Sequence, residues 1–193
     1  MFLQACSSPN EPPAPAAGSG DASFRQLAEE ILEFTYKRDP SGATRLGIHK
    51  YDDAIADRSA AAIKDDAEAI KSFQTRLDAV DAESLSLEAQ LDVEQSRHAL
   101  DGMLLRDEVI RPWAKDPDTY SSGITNDAHV MISRTFAPPE RRLKSLISRL
   151  KMMPNLLAAA RTNLENPPRI YTEIAIEQVD GNRDFFASDV PGA

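Results

Sequence analysis

Four consecutive residues combine side chains that often bind ligands: His49, Lys50, Tyr51 and Asp52. An imidazole, a phenol hydroxyl and a carboxylate can all form hydrogen bonds, and the preceding Gly47 indicates a loop. Polar loop residues commonly line binding clefts. We therefore name His49, Tyr51 and Asp52 as candidate cleft-lining residues. The alternative is that the imidazole and the phenol bond locally and hold the loop against neighbouring helices.

No metal site is predicted in this chain. The three histidines, His49, His98 and His129, are well separated, and the HExxH motif that zinc hydrolases commonly use is not present. Glu94, His98 and Asp101 have the spacing of one helix face and are the best-placed group. A solvated row of polar side chains is the commoner outcome of such spacing, and we favour it.

No catalytic residue is predicted either. The sequence contains no G-x-S-x-G motif and no glycine-rich phosphate loop. Three arginines, Arg141, Arg142 and Arg149, flank an apolar helix face, and we expect them to lie at the surface or to form ion pairs.

The charge balance argues against some partners. The formal net charge is -9, which disfavours binding to nucleic acid and broad electrostatic adhesion to anionic lipid. No apolar run is long enough to span a bilayer. Membrane association, if any, is therefore expected through a lipid anchor only.

The single cysteine, Cys6, follows Leu3, Gln4 and Ala5. This order resembles the end of a bacterial lipoprotein signal, in which the cysteine carries the lipid. The basic and apolar parts of such a signal are missing, so we expect the true start to lie upstream of Met1. The predicted location is the cell envelope, with the protein facing the periplasm, most simply at the outer membrane. If Met1 is the true start, the alternative is the cytoplasm.

Residues 1–20 are predicted to form this lipoprotein-like leader and a disordered linker. The linker is rich in Pro, Gly and Ser, and between Ser7 and Gly20 it has no large apolar residue. Such a segment cannot bury enough surface to offset the entropy lost on ordering. We expect it to act as a tether.

Residues 21–193 are predicted to form one helical domain. Apolar residues recur at helical spacing, no stretch alternates as a strand would, and the linking segments are short. The fold class is therefore all-α, an array of antiparallel amphipathic helices. The predicted helices begin at Asp21, run over Ser59–Val80 and Ser86–Ile110, cover Ser122–Arg134, start again at Pro138, and end with a helix that carries Ile170 to Val179.

Several irregular features complete this prediction. The segment from Arg38 to Asp52 is expected to be a loop or broken turn, because it contains one proline and two glycines. Pro154 is expected to break a helix and Gly181 to end one. The third helix is expected to bury one face formed by Leu87, Leu91, Leu105 and Val109, and a second formed by Val93, Leu100 and Leu104. Phe185 and Phe186 suggest a packing partner beyond residue 193, so we expect the domain to be truncated there.

The order of several segments resembles the N-terminal part of a bacterial family known as domain of unknown function 885. The segments that carry the resemblance are Arg38–Pro40, Ala43–Asp52, Trp113 with Asp116, Pro117 and Tyr120, Arg134–Pro138, and Arg149–Leu164 with Pro154 inside it. Together they cover about residues 24–187.

The resemblance implies a helical, zinc-dependent peptidase-like hydrolase, often a lipoprotein, whose HExxH motif lies in its C-terminal half. The chain would then be a non-catalytic N-terminal portion of a larger fold. Its partners would be the remainder of its own polypeptide and a peptide substrate, and zinc would be the cofactor of the longer protein. The alternative is a stand-alone helical lipoprotein that binds or scaffolds a partner.

Overall fold

The computed structural model describes residues 18–192, and within this range the chain forms helices and no β-strand. The predicted all-α fold is confirmed. Cys6 and nearly all of the predicted leader lie outside the described residues, as does Ala193. The division of the chain into leader and helical domain therefore stays a prediction.

The helices follow one another with short connections. The α-helices are α1 (Asp21–Arg38), α2 (Pro40–Arg45), α3 (Ala60–Asp78), α4 (Leu87–Leu104), α5 (Pro112–Lys115), α6 (Asp118–Ser133), α7 (Pro139–Asn163), α8 (Arg169–Asp184) and α9 (Val190–Gly192). Single 3₁₀ turns cover His49–Tyr51 and Ala82–Ser84, and π-helical turns cover Leu105–Ile110 and Phe185–Asp189.

Helices α1, α3 and α4 enclose a first apolar cluster. Apolar residues at helical spacing form a stripe on α1 and another on α3, and these stripes provide much of it. Burial of one large apolar side chain contributes about 1.5–3 kcal/mol, which explains why the stripe faces inward. The buried members are Phe24, Leu27, Ile31, Ile70, Leu77, Leu85, Ala89, Val93 and Leu100.

The prediction for one face of α4 and its continuation is wrong. Leu87, Leu91, Leu105 and Val109 are each more than half exposed. The helix has apolar residues on two faces, and in the described part of the chain α1 and α3 cover only the second of them. That side carries Val93 and Leu100, which are buried as expected.

Helices α6 and α7 enclose a second apolar cluster, against which α8 and the C-terminal turn pack. Its buried members are Tyr120, Ile124, Ala128, Val130, Met131, Leu146, Met153, Leu156 and Ala160. Tyr120 also donates a hydrogen bond from its hydroxyl to the Trp113 carbonyl, at 2.6 Å, which ties α5 to α6.

Helix α7 runs without interruption through Pro154, so the predicted break is wrong. Proline removes one backbone hydrogen bond, at a cost of about 3 kcal/mol in a helix interior. Buried residues on both sides of it, Met153 and Leu156 among them, continue one stripe against α6. Packing of that stripe offsets the missing bond.

The segment from Arg38 to Asp52 is ordered and partly helical rather than a loop. Pro40 occupies the first turn of α2, where its fixed backbone is favourable. The Asp39 carboxylate accepts a hydrogen bond from the Gly42 amide at 2.9 Å and caps the helix. Gly47 follows with φ of 86°, a conformation that suits glycine and ends the turn.

The C-terminal end also differs from the prediction. Gly181 lies within α8 instead of ending it. Phe185 and Phe186 are half-buried against the second cluster, and Phe185 lies 6.0 Å from the His129 ring of α6. Part of their packing surface therefore lies within the described chain, and the truncation of the domain stays a prediction.

Candidate functional site

His49 and Asp52 contact one another at the 3₁₀ turn. The Nδ1 atom of His49 lies 3.1 Å from the Asp52 carboxylate, and the imidazole stacks on Phe136 with ring centroids 4.2 Å apart. The Asp52 carboxylate is buried and also accepts a hydrogen bond from Thr44 Oγ1 at 2.8 Å. Both polar side chains are therefore engaged within the described chain.

Tyr51 turns the other way, toward α1. Its hydroxyl donates a hydrogen bond to the Glu33 carboxylate, which Lys50 also contacts. The pKa of Tyr51 is raised above its usual value, mainly by the hydrogen bond to the Glu33 carboxylate and to a smaller extent by burial. These are contacts of the kind that the alternative interpretation describes, in which the imidazole and the phenol bond locally and hold the segment against neighbouring helices. Whether His49, Tyr51 and Asp52 also line a cleft in a longer protein stays a prediction.

The organising side chain of this region is Arg149 of α7. It is completely buried, so its predicted surface position is wrong. Its guanidinium donates to the carbonyl of Asp52 at 2.7 Å and to the carbonyl of Asp127 at 2.9 Å. It also donates to the hydroxyls of Ser41 at 2.7 Å and Thr44 at 2.9 Å.

We call Ser41, Thr44, Asp52, Asp127 and Arg149 the polar cluster. It joins α2 and the 3₁₀ turn to α6 and α7. Ser41 donates its hydroxyl hydrogen to the Asp127 carboxylate. Burial raises the pKa of Asp127 and lowers the pKa of Arg149, and the opposite charges of the two residues counter both shifts. Because guanidinium stays protonated in proteins, Arg149 retains its positive charge inside the cluster.

Sequence reasoning missed Arg149, although a signal was present. Arg149 lies three residues after Leu146 and four before Met153, so it occupies a position in the apolar stripe of α7. A charged residue at such a position is expected to be buried, and it therefore needs buried groups that form hydrogen bonds with it. The partners themselves could not be predicted, because they come from three distant segments.

A cavity of about 680 Å³ lies beside the polar cluster, bordered by α1, α2, α4 and α6. This size is typical of small-molecule sites. Its polar lining includes Thr35, Arg38, Asp39, Ser41, Arg45, Arg58, Arg106, Asp116, Asp118, Thr119, Ser122, Asn126 and Asp127. His49, Tyr51 and Asp52 are not among the residues that line it.

The four arginines of the cavity differ in their partners. Arg38 bonds Asp66 at 2.9 Å and also contacts Asp107. Arg45 has a loose ion pair with Asp39. Within residues 18–192, the guanidinium groups of the other two, Arg58 and Arg106, form no hydrogen bond or ion pair. Burial, and then the positive charges of Arg38 and Arg106, lower the pKa of Arg58.

The residues considered for a metal do not form a site. Glu94, His98 and Asp101 are exposed on α4. Glu94 pairs with Arg97 at 3.3 Å, and Asp101 accepts a hydrogen bond from Gln74 at 2.6 Å. Between residues 18 and 192, no three His, Cys, Asp or Glu residues are grouped to hold a metal ion. The zinc ion that the resemblance implies would be held by residues of the C-terminal half of the longer protein, not by residues 18–192.

None of the helices between residues 18 and 192 combines the length and the apolar character that crossing a bilayer requires.

The fold is similar to that of a solved structure from Shewanella oneidensis, described as a candidate lipoprotein of unknown function. The TM-score is 0.76 and the sequence identity 25%, and the match covers 86% of this chain. The chain spans about 30% of the length of that relative. No curated protein matches the sequence. Residues 40–193 match the family described as bacterial protein of unknown function (DUF885), and the chain therefore belongs to that family.

Proposed function

We propose that this chain is the non-catalytic N-terminal helical portion of a zinc-dependent, peptidase-like hydrolase of the bacterial envelope. Its role would be to form one wall of the substrate-binding region. The observation that carries the proposal is the cavity of about 680 Å³, whose lining is rich in hydrogen-bonding groups. The solved relative supports it, because this chain accounts for about 30% of that longer protein.

The cavity lining suits a binding role. Hydroxyls, an amide and guanidinium groups can hold the backbone and the end of a short peptide. Neighbouring helices and the polar cluster fix their positions, so a ligand would meet a prearranged surface. The description of the relative as a candidate lipoprotein supports an envelope location.

Two glycines in the lining provide the test. Gly102 of α4 and Gly123 of α6 both line the cavity, and a Cβ atom at either position would meet open space. A large side chain at Gly123 can therefore occupy the cavity without a clash at its base. Gly181 of α8 also has open space but does not line the cavity, so it gives a matched control.

The experiment uses the protein together with any sequence that follows residue 193, incubated with a mixture of short peptides. We expect hydrolysis that a zinc chelator abolishes. Gly123→Phe should raise KM by about tenfold or more, whereas Gly181→Phe should leave it unchanged.

Three outcomes would count against the proposal. Chelator-resistant hydrolysis would rule out zinc dependence. An unchanged KM in Gly123→Phe would show that the cavity does not bind substrate. Absence of any hydrolysis would favour the alternative, a helical lipoprotein that acts as a binding or scaffolding module.

A further inference from the structure

We infer that Arg58 and Arg106 form a carboxylate-binding subsite inside the cavity, and that it takes the C-terminal carboxylate of a short peptide. The carboxylate chemistry follows from the cavity alone. The choice of a peptide rests on the proposed function.

The backbone of Arg58 is fixed, although its guanidinium has no partner among residues 18–192. The backbone carbonyl of Arg58 accepts a hydrogen bond from Asn163 Nδ2 at 2.6 Å, and Asn163 Nδ2 also donates to the buried Tyr120 hydroxyl at 3.0 Å. The base of the side chain is thereby anchored to α6 and α7. A partly buried guanidinium group loses hydrogen bonds to water, and here no protein acceptor among residues 18–192 replaces them.

The negative charges nearest Arg58, those of Asp39 and Asp107, are shared with other arginines, because Asp39 pairs loosely with Arg45 and Asp107 contacts Arg38. Arg38 is committed to Asp66 and Asp107. The nearby aspartates have their own local roles, since Asp118 accepts hydrogen bonds from the hydroxyls of Ser121 at 3.0 Å and Ser122 at 2.6 Å. Arg58 and Arg106 line the same cavity, and the positive charge of Arg106 lowers the pKa of Arg58. An anion between the two side chains would relieve their repulsion.

The lining favours a carboxylate over a phosphate. Four aspartates, Asp39, Asp116, Asp118 and Asp127, line the same cavity, and the chain as a whole has a net charge of -9. A dianion would be repelled more strongly than a monoanion. A planar carboxylate also matches the fork of a guanidinium group. The aspartates in turn suit the N–H donors of a peptide.

A carboxylate could come from a free ligand or from an acidic side chain of a longer polypeptide that contains this chain. The chemistry is the same, and only the source differs. Comparing the 193-residue chain with the longer protein separates the two sources. A side chain that occupies the subsite would block free ligand in the longer protein alone.

The test is calorimetric titration of the 193-residue chain with trialanine as the free acid and as the C-terminal amide. We expect the acid to bind at least about tenfold more tightly than the amide. Arg58→Gln and Arg106→Gln should each reduce affinity for the acid to that of the amide. Arg161→Gln is the matched control, because Arg161 is exposed on α7 and does not line the cavity; it should bind as the parent does.

Thermal unfolding of each variant confirms that it is folded, and the exposed position of Arg106 makes Arg106→Gln the safer variant. Equal affinity for acid and amide would overturn the inference, as would absence of binding or tighter binding of inorganic phosphate. Binding by the 193-residue chain but not by the longer protein would support a carboxylate subsite but overturn a free peptide as its ligand, because a side chain of the polypeptide would then occupy it. Absence of peptide hydrolysis would contradict the proposed function, but it would not change the affinities measured in these titrations.

Discussion

At the scale of single residues, Arg149 takes the place of an apolar side chain in the buried stripe of α7. Its four hydrogen bonds reach two carbonyls and two hydroxyls from three other segments. Removing one member of a buried charged network leaves the rest without compensation, which costs more than the network itself contributes. The local fold around α2 therefore depends on this side chain.

We expect Arg149→Met to lower the free energy of unfolding by about 3–5 kcal/mol. Methionine fills similar length but leaves the Asp52 and Asp127 carbonyls without a donor. Arg161→Met on the exposed side of the same helix should change stability by less than about 0.5 kcal/mol. Chemical denaturation of both variants measures this, and equal effects would show that burial of Arg149 is not needed for stability.

Asp127 gives a prediction about pH. Burial raises the pKa of Asp127 above the ordinary aspartate value, so the folded state binds this proton more tightly than the unfolded state. Ionisation of Asp127 therefore lowers stability as the pH rises from about 4 through the raised pKa. Asparagine can still accept the Ser41 hydrogen bond but does not ionise.

The unfolding free energy of Asp127→Asn, measured relative to the parent, should therefore increase as the pH rises from about 4 to 7. The comparison with the parent removes the effects of the other carboxylates, some of which have lowered pKa values. Denaturation curves at several pH values provide the data. A difference that does not vary with pH would contradict the assigned cause.

At the scale of helices, Pro154 shows how packing overrides a local signal. It is exposed, and buried residues precede and follow it on one stripe. We expect Pro154→Ala to restore a backbone hydrogen bond and raise the free energy of unfolding by about 1–3 kcal/mol. Lys151→Ala, also exposed on α7, is the control and should have little effect. A loss of stability in Pro154→Ala would contradict this expectation.

The helices were more predictable than their boundaries. The stripe of α3, with Ile70 and Leu77 buried, follows from periodicity because one apolar face needs only one covering surface. The exposure of Leu91 on α4 could not be predicted, because it depends on which side of α4 its neighbours cover. Helix α2 was missed because proline and glycine generally indicate loops, and here Asp39 and Pro40 begin a helix instead.

The candidate site was less predictable than the fold. The sequence singled out the segment from Arg38 to Asp52, and residues of that segment, including Arg38, Asp39, Ser41 and Arg45, do line the cavity. Arg58 had no distinguishing pattern, because its importance comes from charges at the end of α1 and in the π-helical turn after α4, which tertiary packing brings near it. Periodicity reports burial of one helix at a time and carries no information about such encounters.

At the scale of the whole molecule, helices of both apolar clusters border the cavity, and the predicted lipid anchor at Cys6 would precede both clusters. We expect mass spectrometry of the membrane fraction, after expression of the complete gene in a bacterium, to detect a lipid on Cys6. Cys6→Ser should move the protein to the soluble fraction. An unmodified Cys6 in the cytoplasm would contradict the envelope location.

The polar cluster has a consequence for motion. It links the two apolar clusters through α2 and the 3₁₀ turn. Tyr51 of the turn bonds to Glu33 of α1, and the Asp52 carbonyl accepts a hydrogen bond from Arg149 of α7. Apolar surfaces can slide by small amounts at little cost, whereas hydrogen bonds weaken steeply with distance and angle. The width of the cavity is therefore set by bond geometry. When those bonds break, the helices around each apolar cluster should open independently. Amide hydrogen exchange in α3 should then be independent of exchange in α7.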